Sequence, residues 1–324
     1  MAEERLEEMR ALRAKKREEL LMAGKPAYPA EVRRSMTLSE LTEQFEEKMN
    51  NGQSLVVLGR ISAIRTHGSI AFVDIIDDGG KMQLQFNEDI LGDRFTELTE
   101  YDSGDFVQVI GTPALSKRGE KTIMVAECSM ASKAIRPIPS TWFGLKDIEL
   151  KSRQRELDLL TNPDSKETVR KRSKTISFVR SYLESKGFME VETPMLQPIP
   201  GGTLAAPFST HHNALDADLF LRIAPELYLK RLLVGGFEKV FEIGKNFRNE
   251  GVDKSHNPEF TMLEFYWAYA DYEDLMDMAE DMLSSIVLAI NGSYDLIRGD
   301  QTITFKPPFT RYSYIELIKE RTGI

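Results

Sequence analysis

Cysteine is almost absent. One residue, Cys128, in 324 leaves no partner for an intramolecular disulfide and no thiolate pair for a metal cluster. Histidine is nearly as scarce, with four residues, of which only His211 and His212 are neighbours. Successive strand residues point to opposite sides, which argues against a shared metal ion there. No apolar run approaches the roughly 20 residues of a membrane span, and the amino terminus has no signal-peptide apolar region, so a cytoplasmic protein with no membrane partner is expected. Positive charge is in deficit: the net charge is −9 and the isoelectric point is near 5.2. That balance excludes a general nucleic-acid or membrane coat and leaves local basic patches as the means of meeting a polyanion.

Hydrophobic residues make up 41% of the chain, enough for a core, and the length suits two domains. Residues 2–23 are rich in helix formers, with Leu6, Met9, Leu12 and Leu20 loosely on one face. Acids (Glu3, Glu4, Glu7, Glu8) precede bases (Arg10, Arg13, Lys15, Lys16, Arg17). The order favours the helix dipole, and a basic face for nucleic acid is the alternative. A second helix is predicted over 38–50, capped by Thr37. From Leu55 the period turns to two: three strands, a helix over 88–99 and two more strands, the element order of an OB-fold barrel. Alternation puts Ala71, Val73, Ile75, Met82, Leu84 and Phe86 inside. It turns Phe72, Gln83 and Gln85 outward, where a ring beside amides suits base recognition; an incidental surface aromatic is the plain alternative. Residues 55–128 carry seven Lys and Arg against twelve Asp and Glu, so a few specific contacts fit better than sequence-blind attraction.

Residues 134–164 read as a linker. A helix over 166–185 follows, then a strand MEVETPML ending at a proline, and a long Gly/Pro-rich loop over 197–220 of the kind that is usually functional or mobile. Pro225 opens a helix that Gly235-Gly236 ends. Residues 237–267 form two strand-like runs around a polar loop. On a period of two, Glu242, Gly244, Asn246, Arg248 and Glu250 share a face, and Phe260, Met262, Glu264 and Tyr266 fall together on the second run. Paired as a hairpin, that face suits a phosphate, a flat ring and an amine; a solvated polar face is the alternative. Helix 272–290, a hairpin around Arg298-Gly299-Asp300 and a helix from Ser313 complete the chain.

Three stretches carry a resemblance to bacterial-type class II lysyl-tRNA synthetases. KGFMEVETPML (186–196) resembles motif 1, which serves a homodimer interface. FRNEG with HNPEFTMLE (247–264) resembles motif 2 in wording peculiar to the lysine enzymes, and the OB barrel stands ahead of them. The fold implied is α+β and multidomain: a helical extension (1–54), an OB-fold anticodon-binding domain (55–133), a linker (134–164) and the amino-terminal part of an antiparallel-sheet catalytic domain (165–324). The activity implied is ATP- and Mg²⁺-dependent activation of L-lysine to the adenylate and its transfer to tRNA(Lys). Carried over position by position, Arg248 stabilises the reacting phosphate, Glu250 meets the adenine amino group, His256 and Asn257 meet ATP, and Phe260 stacks on adenine. Glu264 and Tyr266 meet the lysine ammonium, and Glu226 with the Gly202 backbone grips the α-amino group. Phe72, Gln83 and Glu120 read the anticodon.

The chain departs from the pattern at Ala206, where an arginine is frequent. No stretch after Phe309 resembles the glycine-rich motif 3 or the acidic Mg²⁺ ligands before it. A fragment inactive alone is therefore expected, with its metal ligands beyond Ile324. A non-catalytic tRNA-binding fragment or regulator, and an aspartate- or asparagine-type enzyme, are the alternatives; Glu264 beside Tyr266 disfavours the last.

Overall fold

The computed structural model describes residues 2–138 and 147–323, which divide into two compact units at Pro163/Asp164. The first begins with helix α1 (Ala2–Met22). Of its expected apolar face only Leu20 is buried, while Leu6, Met9 and Leu12 are exposed. Its bases are engaged within the unit: Lys16 lies 2.9 Å from Asp102, Arg10 pairs with Glu7, and Arg13 donates to the Ala134 and Arg136 carbonyls. The single helix predicted over 38–50 is two, α2 (Leu38–Glu43) and α3 (Phe45–Asn50), broken at Gln44. Thr37 caps α2 through a reciprocal box with Glu40, which satisfies two backbone donors at the helix start. Leu38, Leu41 and Phe45 are fully buried with the barrel core.

Strands β1 (Leu55–His67), β2 (Ile70–Ile76), β3 (Lys81–Asn87), β4 (Phe106–Leu115) and β5 (Lys121–Ser132) close in the order β1-β2-β3-β5-β4. Closure depends on the length of β1, whose first half pairs with β4 and whose second half pairs with β2 across a bulge at Ile61/Ala63. The predicted inside set is buried: Ala71, Val73, Ile75, Met82, Leu84 and Phe86. The helix read over 88–99 is only one turn, α4 (Glu88–Leu91), continued as a 3₁₀ segment over Gly92–Glu100. Gly92 has φ +57 and ψ −133, a conformation open to glycine that breaks the α-helix. A fully buried Lys133, 2.6 Å from Asp102 and 2.7 Å from Asp105, ties the end of β5 to the turn before β4. The described part of the segment read as a linker contains two short helices, α5 (Ile148–Arg153) and α6 (Arg155–Thr161); residues 139–146 lie outside the described residues.

The second unit begins with helix α7 (Pro163–Ser185). The strand expected over MEVETPML survives only as β6 (Met189–Glu190) and β7 (Leu196–Gln197): between them Thr193 gives its hydroxyl to Glu242, and Pro194 has no N–H to offer a ladder. The long loop is structured in its second half as a hairpin, β8 (Ser209–His212) and β9 (Ala217–Leu221), which with β7 forms a sheet ordered β7-β9-β8. Pro225 is the cap residue of α8 (Glu226–Val234), not its first helical residue. Strands β10 (Lys239–Phe247) and β11 (Glu259–Trp267) pair antiparallel throughout, and β6 joins β10 in parallel. Helix α9 (Tyr272–Asn291), the hairpin β12 (Asp295–Arg298) and β13 (Gln301–Thr304), and α10 (Tyr314–Thr322) follow.

One face of the β10–β11 hairpin supplies the core. Phe241, Ile243, Leu263, Phe265 and Trp267 pack with Tyr182 and Leu183 of α7, Phe188, and Met278 of α9. With those residues committed inward, strand alternation turns Glu242, Gly244, Asn246, Phe260, Met262, Glu264 and Tyr266 to the other face. None of the described helices is long and apolar enough to cross a membrane.

Candidate functional site

The register fixes who faces whom on that second face: Glu242 is opposite Glu264, Gly244 opposite Met262, and Asn246 opposite Phe260. Beyond β10, the Arg248 N–H donates to the Pro258 carbonyl at 2.8 Å, and its guanidinium carbon sits 5.1 Å from the centre of the Phe260 ring. A cation suited to phosphate and a ring suited to stacking are therefore in contact. Towards the other end, the Tyr266 hydroxyl donates to Glu264 at 3.3 Å. Burial raises the Glu264 pKa against that hydrogen bond; the Glu226 and Glu242 carboxylates raise it further and Arg222 opposes them. Burial, then Glu264 and Glu226, push Tyr266 up as well. Ionised Glu264 is thus disfavoured by burial first and by the neighbouring carboxylates second, and a ligand cation beside it would offset both.

Glu226 opens α8, with Lys230 at 2.5 Å. A Cβ on Gly202 would come within 3.0 Å of the Glu226 Cβ, and Gly202 has φ +97. The Gly202 backbone therefore passes directly over Glu226 in a conformation that glycine alone adopts cheaply. Glu250 is exposed and accepts a long 3.3 Å hydrogen bond from the Ala206 N–H, while Asn249 N–H donates to the Ala206 carbonyl at 2.8 Å. His256 and Asn257 are exposed in the loop between the strands. His256 Nδ1 lies 2.8 Å from Asp253, and the Ser255 N–H, the His256 ring and the His256 N–H together hold the Asp253 carboxyl at about 2. The structure therefore brings Gly202, Glu226, Glu264 and Tyr266 together at one end and Arg248 and Phe260 at the other, and leaves His256 and Asn257 out on the loop.

Arg222, Thr193 and Asn246 belong to this site and carry no role in the sequence reading. Arg222 has 0% exposure and Glu242 4%. They form an ion pair, and Thr193 donates to Glu242 at 2.7 Å. Asn246 is buried on the same face, and neither its Oδ1 nor its Nδ2 has a partner. Arg222 Nη2 and Arg248 Nε are buried without partners too. Folded proteins leave few such atoms unpaired, and their concentration on one face marks it for ligand contact. The sequence signal for Arg222 was faint: an arginine inside the apolar run LFLRIA.

On the barrel, a groove of about 830 Å³ is lined by Arg65, His67, Phe72, Gln83, Gln85 and Glu120, among others. Phe72 lies between Arg65 and Gln85 in register. Gln83 donates to Glu120 at 3.0 Å, and its Oε1 is buried without a partner. Arg65 makes two 2.9 Å hydrogen bonds to Asp74. The fold sorts charge here: Arg65, Lys81, Lys117, Arg118 and Lys121 line the groove with only Asp74 and Glu120 against them, although the segment as a whole is acidic. Among the described residues no three His, Cys, Asp or Glu side chains are grouped to hold a metal ion.

Residues 147–324 match the family described as tRNA synthetases class II (D, K and N), and residues 55–131 match the OB-fold nucleic acid binding domain. The lysine–tRNA ligase of Syntrophomonas wolfei is 45% identical over 320 residues, covering 98% of this chain and 64% of the relative. That of Clostridium perfringens (strain SM101) is 45% identical over 325 residues, covering 100% and 64%. The lysine–tRNA ligase of Chloroflexus aurantiacus is 47% identical over 322 residues, covering 98% and 66%. The chain thus spans about two thirds of the length of the curated relatives it matches. A match that takes in the hairpin and everything packed on it, with the barrel matched separately ahead of it, settles the kinship: this chain belongs to the class II tRNA synthetases of the D, K and N group.

Proposed function

We propose that the chain serves lysine–tRNA ligation: activation of L-lysine by ATP, then transfer of the lysyl group to the terminal ribose of tRNA(Lys). The observation that carries this reading is the charge at the Tyr266 end of the hairpin. Glu264 and Glu226 act on Tyr266, and Glu226 and Glu242 act on Glu264. Such a pocket favours an ammonium side chain and repels the carboxylate of an aspartate substrate. In the first step an oxygen of the lysine carboxylate bonds to the α-phosphorus of ATP as the bond to the pyrophosphate oxygen breaks. Arg248 is placed to stabilise the charge that gathers on the phosphorus oxygens, with adenine on the Phe260 ring, Glu250 at its amino group, and His256 and Asn257 brought in from the loop to the outer phosphates. Glu226 and the Gly202 backbone hold the α-amino group. Mg²⁺ would enter with the ATP phosphates.

In the barrel, Phe72, Gln83 and Glu120 are assigned to the anticodon: a stacking ring beside amide and carboxylate edges suits unpaired bases. Residues 186–196 are assigned to a homodimer contact, supported by the exposure of Met189, Met195 and Leu196. A cytoplasmic setting goes with this function. Calorimetric titration tests the substrate assignment. L-lysine should give saturable binding that L-aspartate and L-asparagine do not; preferential binding of either competitor would overturn it.

A further inference from the structure

Two carboxylates directly across an antiparallel ladder repel each other, yet Glu242 and Glu264 stand in that relation. Glu242 is buried and Glu264 is half-buried. The resolution lies on that same face of the hairpin. Arg222 Nη1 pairs with Glu242 and donates to Thr193 Oγ1 at 3.1 Å. Its Nε donates to the Lys245 carbonyl at 2.9 Å. Its backbone is pinned on both sides, by its own N–H to Met195 O and by Phe247 N–H to its carbonyl. Gly244 makes the room: a Cβ there would lie 2.2 Å from Arg222 Nη2. Its neighbours thus leave the guanidinium one resting place.

We propose that Arg222 is a positioning residue of the amino-acid pocket: it clamps and neutralises Glu242, which leaves Glu264 opposite as the carboxylate offered to a ligand ammonium group. The identity of that ligand as lysine rests on the function proposed above; the role of Arg222 does not. The groups acting on Glu264 are Tyr266 from its own strand, Glu226 from α8, Glu242 from β10, and Arg222 at the end of β9. Only Arg222 among them is a cation. Its charge is matched by Glu242, so the pair presents Glu264 with little net charge, and the two acids do not compete for one ligand.

The test is a carboxyl-carbon NMR titration of Glu264 in the full chain, with its resonance assigned by its loss in Glu264→Gln. Glu242→Gln leaves the arginine unmatched, and the Glu264 midpoint should move down. In the charge-balanced Arg222→Met/Glu242→Gln variant it should return close to the parent value. A role confined to holding the fold predicts no such reversal. A folded Glu242→Gln protein with an unmoved or raised midpoint would overturn the proposal, as would a double variant shifted as far as the single one. Should Glu242→Gln fail to fold, the double variant decides: a parent-like midpoint supports the pairing, and a displaced one refutes it. Addition of L-lysine to the parent chain is a separate arm. An unperturbed Glu264 resonance would count against lysine as the ligand while leaving the variant shifts to judge Arg222.

Discussion

Gly244→Ala exposes the architecture of the site most economically, because it adds one methyl group and removes nothing. The new Cβ would lie 2.2 Å from Arg222 Nη2 and 3.4 Å from both Arg222 Cζ and Glu242 Oε1. Contacts under 3 Å must be relieved by movement. Arg222 has 0% exposure and is held through Nε, Nη1 and both backbone groups, so relief means breaking the buried pair. Removing one partner from a buried ion pair costs about 3–5 kcal/mol, against a total stability of roughly 5–15 kcal/mol for a folded domain. The loss should therefore be roughly a fifth or more of what holds the unit together. The conformational preference of alanine does not enter, since Gly244 has no left-handed φ. Gly251→Ala is the matched control: nothing lies within 4 Å of its added Cβ, and a change within about 0.5 kcal/mol is expected. Urea unfolding followed by Trp267 fluorescence, in a Trp142→Phe background, reports on the hairpin unit alone. A Gly244→Ala protein within about 1 kcal/mol of the parent would show that Arg222 has another place to go, and the clamp would fail with it.

Glu264→Gln should abolish detectable lysine binding. It should also stabilise the ligand-free chain by about 0.5–2 kcal/mol, the usual size of a single stabilising substitution, because burial and two neighbouring acids disfavour the ionised group it removes. A raised carboxyl pKa favours folding at low pH and weighs against it as pH rises through the folded midpoint, so that gain should vanish in acid; a thermal melt at two pH values checks both signs. Phe72→Ala should weaken binding of a tRNA(Lys) anticodon stem-loop by about 1–3 kcal/mol and leave lysine binding unchanged. Equal affinity in fluorescence anisotropy would return Phe72 to an incidental surface ring. Asp253, held at about 2 by the Ser255 N–H and His256, has a depressed pKa. Its contribution to the loop should persist below the ordinary aspartate range and disappear only as pH falls through about 2, which backbone amide shifts of Ser255 and His256 can follow.

Much of this protein is written in local pattern. A period of two in 70–76 and 81–87 separated the buried Val73 and Leu84 from the outward Phe72 and Gln83, because a strand next to a core has only two faces to assign. The same rule sorted the hairpin, with Phe241 and Phe265 inward and Glu242 and Glu264 outward. Sequence pattern failed where a non-local partner outbid local preference. MEVETPML has strand composition, but Thr193 gives its hydroxyl to Glu242, 49 residues on, and the strand stops. The Gly/Pro-rich stretch before Leu221 reads as loop, yet its second half pairs as a hairpin.

The sequence by itself thus determined the family and which side chains share a face of each strand, since motif wording and alternation are properties of neighbouring residues. Only the tertiary structure decided that Arg222 pairs with Glu242 on the pocket face of the hairpin and that Gly244 leaves room for it. It also decided that an acidic barrel collects its bases along one groove. Each of these depends on residues far apart in the chain being brought side by side, and at Arg222 and Glu242, where water is excluded, charge must be matched by whatever the fold brings alongside.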